Sequence, residues 1–109
     1  LRSEFLHLQA TGESWVTPCF VLQAIQTNTQ QTPEFGLTVT KKIGGAVVRN
    51  RVRRRLRAAI DAYPLLASYQ GWKFVLIARG PALTIEFSQL QRDLLWAIKR
   101  ITEKISHAQ

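Results

Sequence analysis

The chain has 109 residues, 46% hydrophobic and 20% charged, a composition that can bury the core of one domain and argues against wholesale disorder. Its single cysteine excludes an internal disulfide framework and a zinc site built from cysteines. No apolar run approaches the ~20 residues that cross a bilayer, and no signal-peptide pattern opens the chain. We therefore expect one domain over residues 1–109, with a cytoplasmic location.

The hydrophobic pattern predicts one short helix and two strands in the first part of the chain. The helix is expected over Ser3–Leu8, and the strands over Phe20–Thr27 and Gly36–Lys42. The polar stretch 28–33 between the strands is interpreted as a hairpin loop. Alternation in the first strand places Phe20, Leu22 and Ala24 on one face and Val21, Gln23 and Ile25 on the other.

The second part is predicted to contain two helices with a strand between them. Glycines 44 and 45 precede the first helix, whose apolar stripe comprises Val48, Val52, Leu56, Ala59, Ile60 and Tyr63. The apolar run within Lys73–Arg79 predicts a strand covered on both faces. Ser88 is the expected N-cap of a long amphipathic C-terminal helix. These elements predict an α/β sandwich built on a small sheet.

The net charge of +8 is concentrated in one segment. Residues 41–57 contain no acidic residue and eight basic ones, which are Lys41, Lys42, Arg49, Arg51, Arg53, Arg54, Arg55 and Arg57. The rest of the chain has seven basic and seven acidic residues, so its charge sums to zero. A neutral domain with one strongly basic segment indicates a binding site for a polyanion, with nucleic acid the first candidate and an anionic membrane surface the second.

The arginines line one helix in an arrangement that favours phosphate binding. Arg49, Arg53 and Arg57 recur at i, i+4 and i+8, where like charges destabilise an isolated helix by ~0.2–0.5 kcal/mol per pair. A bound polyanion would remove this repulsion. The arginine fork binds phosphate in bidentate fashion, and Asn50 adds a neutral group able to reach a base edge or a 2′-hydroxyl.

The remaining side chains predict no catalytic or metal-binding residue in the protein. His7 and His107 lie near the chain ends without clustered partners, and no carboxylate pair has the spacing of a metal site or an acid–base dyad. The segment Lys41–Gly45 lacks the Gly-Lys-Ser/Thr of a nucleotide-binding loop, although its glycines and the following helix N-terminus suit a phosphate backbone. The three tryptophans are expected to pack in the core or at its rim.

Two stretches together resemble the signature of the bacterial ribonuclease P protein family. They are Gly-Leu-Thr-Val-Thr-Lys-Lys at residues 36–42 and Ala-Val-Val-Arg-Asn-Arg-Val-Arg-Arg at residues 46–54, which contains the Arg-Asn-Arg motif of the family. The resemblance is dense over residues 36–57 and looser over the rest of the chain.

The resemblance implies an α+β fold, a two-layer α/β sandwich of the ribosomal protein S5 domain 2-like class. Its small mixed sheet would include a left-handed β-α-β crossover through the basic helix, against the general right-handed rule. It also implies the function of the ribonuclease P protein subunit, which binds the catalytic RNA and the 5′ leader of precursor tRNA and promotes removal of that leader. The chemistry would be carried out by the RNA, with Mg²⁺ bound mainly by the RNA.

The family's functional positions transfer to this chain residue by residue. The implied RNA-binding residues are Lys41, Lys42, Arg49, Asn50, Arg51, Arg53, Arg54 and Arg57. The implied leader-binding cleft contains Phe5, Phe20, Gln23 and Thr38. The chain departs from the family at Gln9, where many members have a second aromatic residue, and at Ala58, often acidic or an amide. The family's basic N-terminal stretch is also missing, as expected for a trimmed or misplaced start.

The expected partners are the catalytic RNA and precursor tRNA, with neither DNA nor a membrane among them. The first alternative is a ribosomal-type structural RNA-binding protein with no role in precursor processing. A DNA-binding module is disfavoured because a strand and two glycines, and no first helix of a helix-turn-helix, precede the basic helix. A membrane-surface helix is disfavoured because the apolar stripe is short and has only one aromatic residue, Tyr63.

Overall fold

A computed structural model describes residues 13–107, which form a four-stranded sheet packed against two α-helices. In chain order the elements are β1 (Glu13–Val16), β2 (Phe20–Gln26), β3 (Glu34–Thr38), α1 (Ala46–Asp61), β4 (Trp72–Ala78) and α2 (Phe87–His107). Two short 3₁₀ helices, Pro64–Ser68 and Gly80–Leu83, flank β4. The helix predicted over Ser3–Leu8 lies outside the described residues.

The sheet is mixed, with strand order β1-β2-β4-β3. The pairs β1–β2 and β2–β4 are antiparallel, whereas β3–β4 is parallel. Helix α1 makes the connection from β3 to β4, so the predicted β-α-β crossover passes through the basic helix, and its left-handed sense stays a prediction. The hairpin predicted at residues 28–33 is wrong because β4 inserts between β2 and β3 and pairs with both.

The core lies between one face of the sheet and the apolar stripes of the two helices. The alternation predicted for β2 is confirmed, since Phe20, Leu22 and Ala24 are all fully buried and face the helices. On the same face, Phe74 of β4 stacks on Phe35 of β3 with ring centroids 5.1 Å apart. The side chains that α1 and α2 bury in this core include Val52, Leu56, Ala59, Ile60, Leu90, Leu94, Ala97, Ile98 and Ile101.

One strand was not predicted, and two element boundaries differ from the predictions for local reasons. The missed strand is β1, whose four residues are too few for a recognisable alternation. Strand β3 ends at Thr38 and not at Lys42, because the backbone turns there and the N–H of Ile43 donates to the carbonyl of Thr40. Helix α2 begins at Phe87, so Ser88 lies inside its first turn and donates to the Glu86 carboxylate instead of capping the helix.

Candidate nucleic-acid interface

Helix α1 divides into a buried apolar side and a basic side. Its buried residues Val52, Leu56, Ala59 and Ile60 fix the orientation of the helix on the sheet. Because the arginines occupy the other positions, the same packing directs them outward. Of the predicted RNA-binding residues on α1, the exposed ones are Asn50, Arg51, Arg54 and Arg57, and the half-buried ones are Arg49 and Arg53.

The basic side of α1 carries no neutralising partner. Within residues 13–107, no carboxylate oxygen lies within salt-bridge distance of an arginine of α1, and Asp61 follows at the end of the helix without pairing. Arg53 Nη1 donates to Asn50 Oδ1 at 3.2 Å, which keeps the amide beside the arginine row. The positive charge of this face is therefore available to an external anion.

Arg49 has a donor that the described residues leave unsatisfied. Its Nε is shielded from solvent and has no hydrogen-bond partner in the part of the chain that the structure describes. A buried donor without an acceptor costs roughly 1–3 kcal/mol, so an acceptor that reached this guanidinium would gain correspondingly. A phosphate oxygen suits this requirement because guanidinium–phosphate hydrogen bonds are charge-assisted.

Arg55 differs from the other arginines of the helix because its guanidinium is engaged in the fold. Its Nε donates to the carbonyl of Ala82 at 3.0 Å, and its Nη2 donates to the carbonyl of Ile85. Both acceptors belong to the turn that leads from β4 into α2. Arg55 thus fastens α1 to this turn and contributes to the fold, a role that its place in a run of arginines did not reveal.

The approach to α1 combines two exposed lysines with an open helix N-terminus. Lys41 and Lys42 lie in the turn after β3 and are both exposed. Gly44 has φ +152°, and a Cβ there would lie 3.0 Å from the Val48 side chain, so glycine is required for the turn to pack on α1. Gly45, at the N-cap, has open space around it, and no side chain caps the first N–H groups. This end of α1 can therefore donate to phosphate.

The sheet face opposite the core carries two of the four predicted cleft residues. Thr38 of β3 and Gln23 of β2 lie in neighbouring rows of that face. The row of Thr38 continues through Ile77 to Val21, and the row of Gln23 continues through Val75 to Gly36. Gln23 Oε1 is shielded from solvent and accepts no hydrogen bond from the described residues.

Of the other two predicted cleft residues, the structure contradicts one and does not describe the other. Phe20 is a correction: its side chain is 0% exposed and faces the helices, so it packs in the core and is not available to a ligand on the opposite face. The odd and even positions of β2 point to opposite sides, which separates Phe20 from Gln23. Phe5 lies outside the described residues.

The comparisons with known proteins agree with the signature in residues 36–54. Residues 1–102 match the family described as Ribonuclease P. The chain is 41% identical over 105 residues to the ribonuclease P protein component of Paramagnetospirillum magneticum, covering 92% of this chain and 78% of that protein. The chain belongs to the ribonuclease P protein family. It is also 42% identical over 90 residues to the protein component from Roseiflexus castenholzii, covering 81% of this chain and 71% of that one.

Solved structures of ribonuclease P proteins share the fold. The structure of the protein from Thermotoga maritima superposes with a TM-score of 0.76 at 26% identity, covering 93% of this chain and 94% of that chain. The Staphylococcus aureus protein gives a TM-score of 0.75 at 25% identity, covering 91% and 89%. The predicted family and α+β fold class are therefore confirmed, and with them the role as the protein component of an RNA-based endoribonuclease.

The buried thiol of Cys19 is kept protonated by its surroundings. Burial raises its pKa from 9.0 to about 11, and the nearby Asp93 carboxylate acts in the same direction, accepting a hydrogen bond from Sγ at 3.7 Å. Cys19 therefore packs as a small apolar residue. Elsewhere in residues 13–107, no three His, Cys, Asp or Glu side chains are grouped as a metal site, and no helix has the length and apolarity to span a membrane.

Proposed function

We propose that the basic side of α1 binds the catalytic RNA of a ribonuclease P holoenzyme and that the sheet face with Gln23 and Thr38 binds the 5′ leader of precursor tRNA. The observation that carries this proposal is a row of outward-facing arginines with no carboxylate partner within residues 13–107. The protein's contribution is to assemble and position RNA, while the RNA subunit performs the hydrolysis that releases the leader.

The arginine row would act by replacing counterions along the RNA backbone. Each phosphate neutralised by a basic side chain releases condensed cations, so affinity falls steeply as salt rises. The residues we assign to this contact are Lys41, Lys42, Arg49, Asn50, Arg51, Arg53, Arg54 and Arg57. Asn50, fixed by Arg53, would add a hydrogen bond to a base edge or a ribose hydroxyl.

Gln23 and Thr38 are suited to a single-stranded leader. The two residues lie on β2 and β3 and flank the central strand β4, on the sheet face opposite α1 and α2. The unsatisfied Gln23 Oε1 would accept from a base amine or a 2′-hydroxyl. This placement separates the leader from the basic side of α1, so one protein can contact substrate and catalytic RNA together.

Mg²⁺ is the metal expected for this family. We assign Mg²⁺ to the RNA subunit, and no step of the proposed mechanism uses a metal bound by residues 13–107. We also propose that the protein works in the cytoplasm, where precursor tRNA is made in bacteria.

A reconstitution at low Mg²⁺ tests the proposed function. Protein, bacterial ribonuclease P RNA and a 5′-extended precursor tRNA are combined, and leader release is compared with that by RNA alone. We expect stimulated cleavage at the mature 5′ end, together with weaker assembly for Arg49→Ala and Arg51→Ala. Tight RNA binding without any stimulation would favour the ribosomal-type alternative and refute the proposal.

A leader-length series tests the assignment of the cleft. Gln23→Ala should weaken binding of precursors with long leaders and leave binding of mature tRNA unchanged. Gln26→Ala is the matched control, because Gln26 is an exposed glutamine at the end of the same strand. Equal effects of the two substitutions, or an effect independent of leader length, would contradict the assignment.

A further inference from the structure

Trp96 lies exposed on the outer surface of α2, away from the core. Its side chain is 56% exposed, unusually high for a tryptophan. At 100° per residue it stands opposite the buried stripe that includes Leu94, Ile98 and Ile101. Trp72, by contrast, is buried in the core as predicted. The indole of Trp96 therefore buries little apolar surface in the fold and is available to a ligand.

The surroundings of Trp96 hold it in a defined arrangement. The Arg100 guanidinium lies 5.3 Å from the Trp96 ring centroid and 5.8 Å from that of Trp15 on β1, so it contacts both indoles. Lys104 forms an ion pair with Glu13 at 3.1 Å, which fastens the same strand to the same helix. These contacts form a preorganised platform of an indole, a guanidinium and a second indole.

The unpaired exposed charges beside the platform are positive. Arg92, Lys99 and Arg100 are all exposed within one helical turn of Trp96. Of the three carboxylates nearby, Glu13 is exposed but paired with Lys104, and Asp93 and Glu103 are half-buried. Asp93 already accepts hydrogen bonds from Gln89 at 2.8 Å and from Cys19. A second copy of this chain would bring like charges together, which disfavours self-association. An aromatic ring surrounded by exposed cations is instead the combination that binds single-stranded nucleic acid.

We infer that the surface formed by Trp15, Arg92, Trp96, Lys99 and Arg100, here called the Trp96 surface, binds an unpaired RNA segment. One base would stack on the exposed face of Trp96, and the flanking phosphates would contact Arg92 and Lys99. The inference extends the proposed function, because it adds a second RNA contact to the same holoenzyme.

The Trp96 surface is separate from the basic side of α1. Helix α2 contacts α1 as well as β1 and β2, but Arg100 beside Trp96 also contacts Trp15 of β1, at the opposite edge of the sheet from β3, which leads into α1. On α1, the row of Arg49, Arg53 and Arg57 lies on the flank away from Arg55, which faces the turn leading into α2. The basic row and the Trp96 surface are therefore two distinct sites, one on each helix.

The test is binding of a single-stranded adenine dodecamer, measured by fluorescence anisotropy, to the full chain and to Trp96→Leu. Leucine keeps an apolar side chain but removes the stacking ring, so we expect affinity to fall at least about fivefold. Leu65→Ala is the control, since Leu65 is 79% exposed and lies on a different element. Unchanged affinity in Trp96→Leu would overturn the inference, and a change in sedimentation without a change in RNA affinity would overturn it in favour of self-association through this surface.

The source of the RNA segment is identified by repeating the comparison with two larger probes. A loss in Trp96→Leu for the catalytic RNA alone assigns the contact to that RNA, whereas a loss only for precursor binding to the assembled holoenzyme assigns it to the substrate. Arg54→Gln on α1 separates this inference from the proposed function. Suppose that Arg54→Gln weakens assembly with the catalytic RNA, whereas Trp96→Leu leaves the affinities for the dodecamer, the catalytic RNA and the precursor unchanged. The inference then fails while the proposed function stands.

Discussion

Arg54 and Arg55 are adjacent, yet the structure predicts opposite consequences for their replacement. Arg54 is exposed on the basic side of α1 and has no carboxylate partner within the described part of the chain. Arg55 donates to two backbone carbonyls, of Ala82 and Ile85. Arg54→Gln should therefore reduce RNA binding without affecting the fold, whereas Arg55→Gln should destabilise the fold.

The sizes of the two effects follow from these contacts. Loss of one phosphate contact in Arg54→Gln should lower the slope of log affinity against log salt by about one unit. A hydrogen bond from a charged donor contributes ~1.5–3 kcal/mol, and the partial exposure of Arg55 places the total for its two bonds at about 2–3 kcal/mol. For a domain of this size, that loss corresponds to a fall in Tm of roughly 10–20 °C.

Salt-dependent binding to the catalytic RNA and thermal unfolding together test this prediction. Arg55→Lys provides a further control, because it keeps the charge but replaces the two separate donor nitrogens, Nε and Nη2, with a single ammonium nitrogen. It should therefore lower Tm while leaving the salt slope unchanged. A normal Tm in Arg55→Gln, or an unchanged salt slope in Arg54→Gln, would refute the assignment of roles.

Three further predictions concern the fold. Leu56→Ala should lower the free energy of unfolding by ~2–5 kcal/mol in urea denaturation, because Leu56 is fully buried and leucine-to-alanine changes leave cavities; a loss well below 1 kcal/mol would contradict its place in the core. Gly71→Ala should destabilise by well over ~1 kcal/mol, since Gly71 has φ +83° and the new Cβ would lie 2.7 Å from the Thr29 carbonyl oxygen. Gly45→Ala has open space and should cost at most ~1 kcal/mol, the preference for glycine over alanine at an N-cap. Burial raises the pKa of the Cys19 thiol from 9.0 to about 11, so the free energy of unfolding should fall as the pH rises from 9 to 11. Cys19→Ala should abolish that part of the fall, which urea denaturation at several pH values would measure.

The parts of the fold that the sequence predicted are those encoded by local periodicity. Strand β2 and the apolar stripes of α1 and α2 each repeat a regular spacing over seven or more residues, and the central residues of all three are buried as expected. The two ends of the predicted α1 stripe differ, since Val48 is half-buried and Tyr63 lies beyond the last residue of the helix. The wrong hairpin at residues 28–33 has a different origin. Whether two consecutive strands pair depends on a third strand far along the chain, and no local pattern near residue 30 encodes the insertion of β4.

The location of the interface was predictable from the sequence, but the separate role of each arginine was not. The absence of acidic residues from 41–57 identifies a polyanion-binding segment, and the motif at residues 46–54 identifies the family. Periodicity also places Arg55 on a different flank from Arg49 and Arg53. It cannot show that the carbonyls of Ala82 and Ile85 lie on that flank and accept hydrogen bonds from Arg55, since they belong to a turn nearly thirty residues away. The same holds for Trp96, because the pairing of its helix with β1 is a tertiary contact.

The packing of α1 explains how a helix with so many arginines stays folded before RNA binds. The like-charged pairs at i, i+4 cost ~0.2–0.5 kcal/mol each, so the pairs 49–53, 53–57 and 51–55 together cost about 0.6–1.5 kcal/mol. Burial of one large apolar side chain such as Leu56 contributes ~1.5–3 kcal/mol, which offsets that repulsion, and Val52 and Ile60 add to it. The arginine row is thus held in place by the opposite side of its own helix. In the proposed complex, RNA would meet a preformed surface and would not have to supply the free energy of ordering the helix.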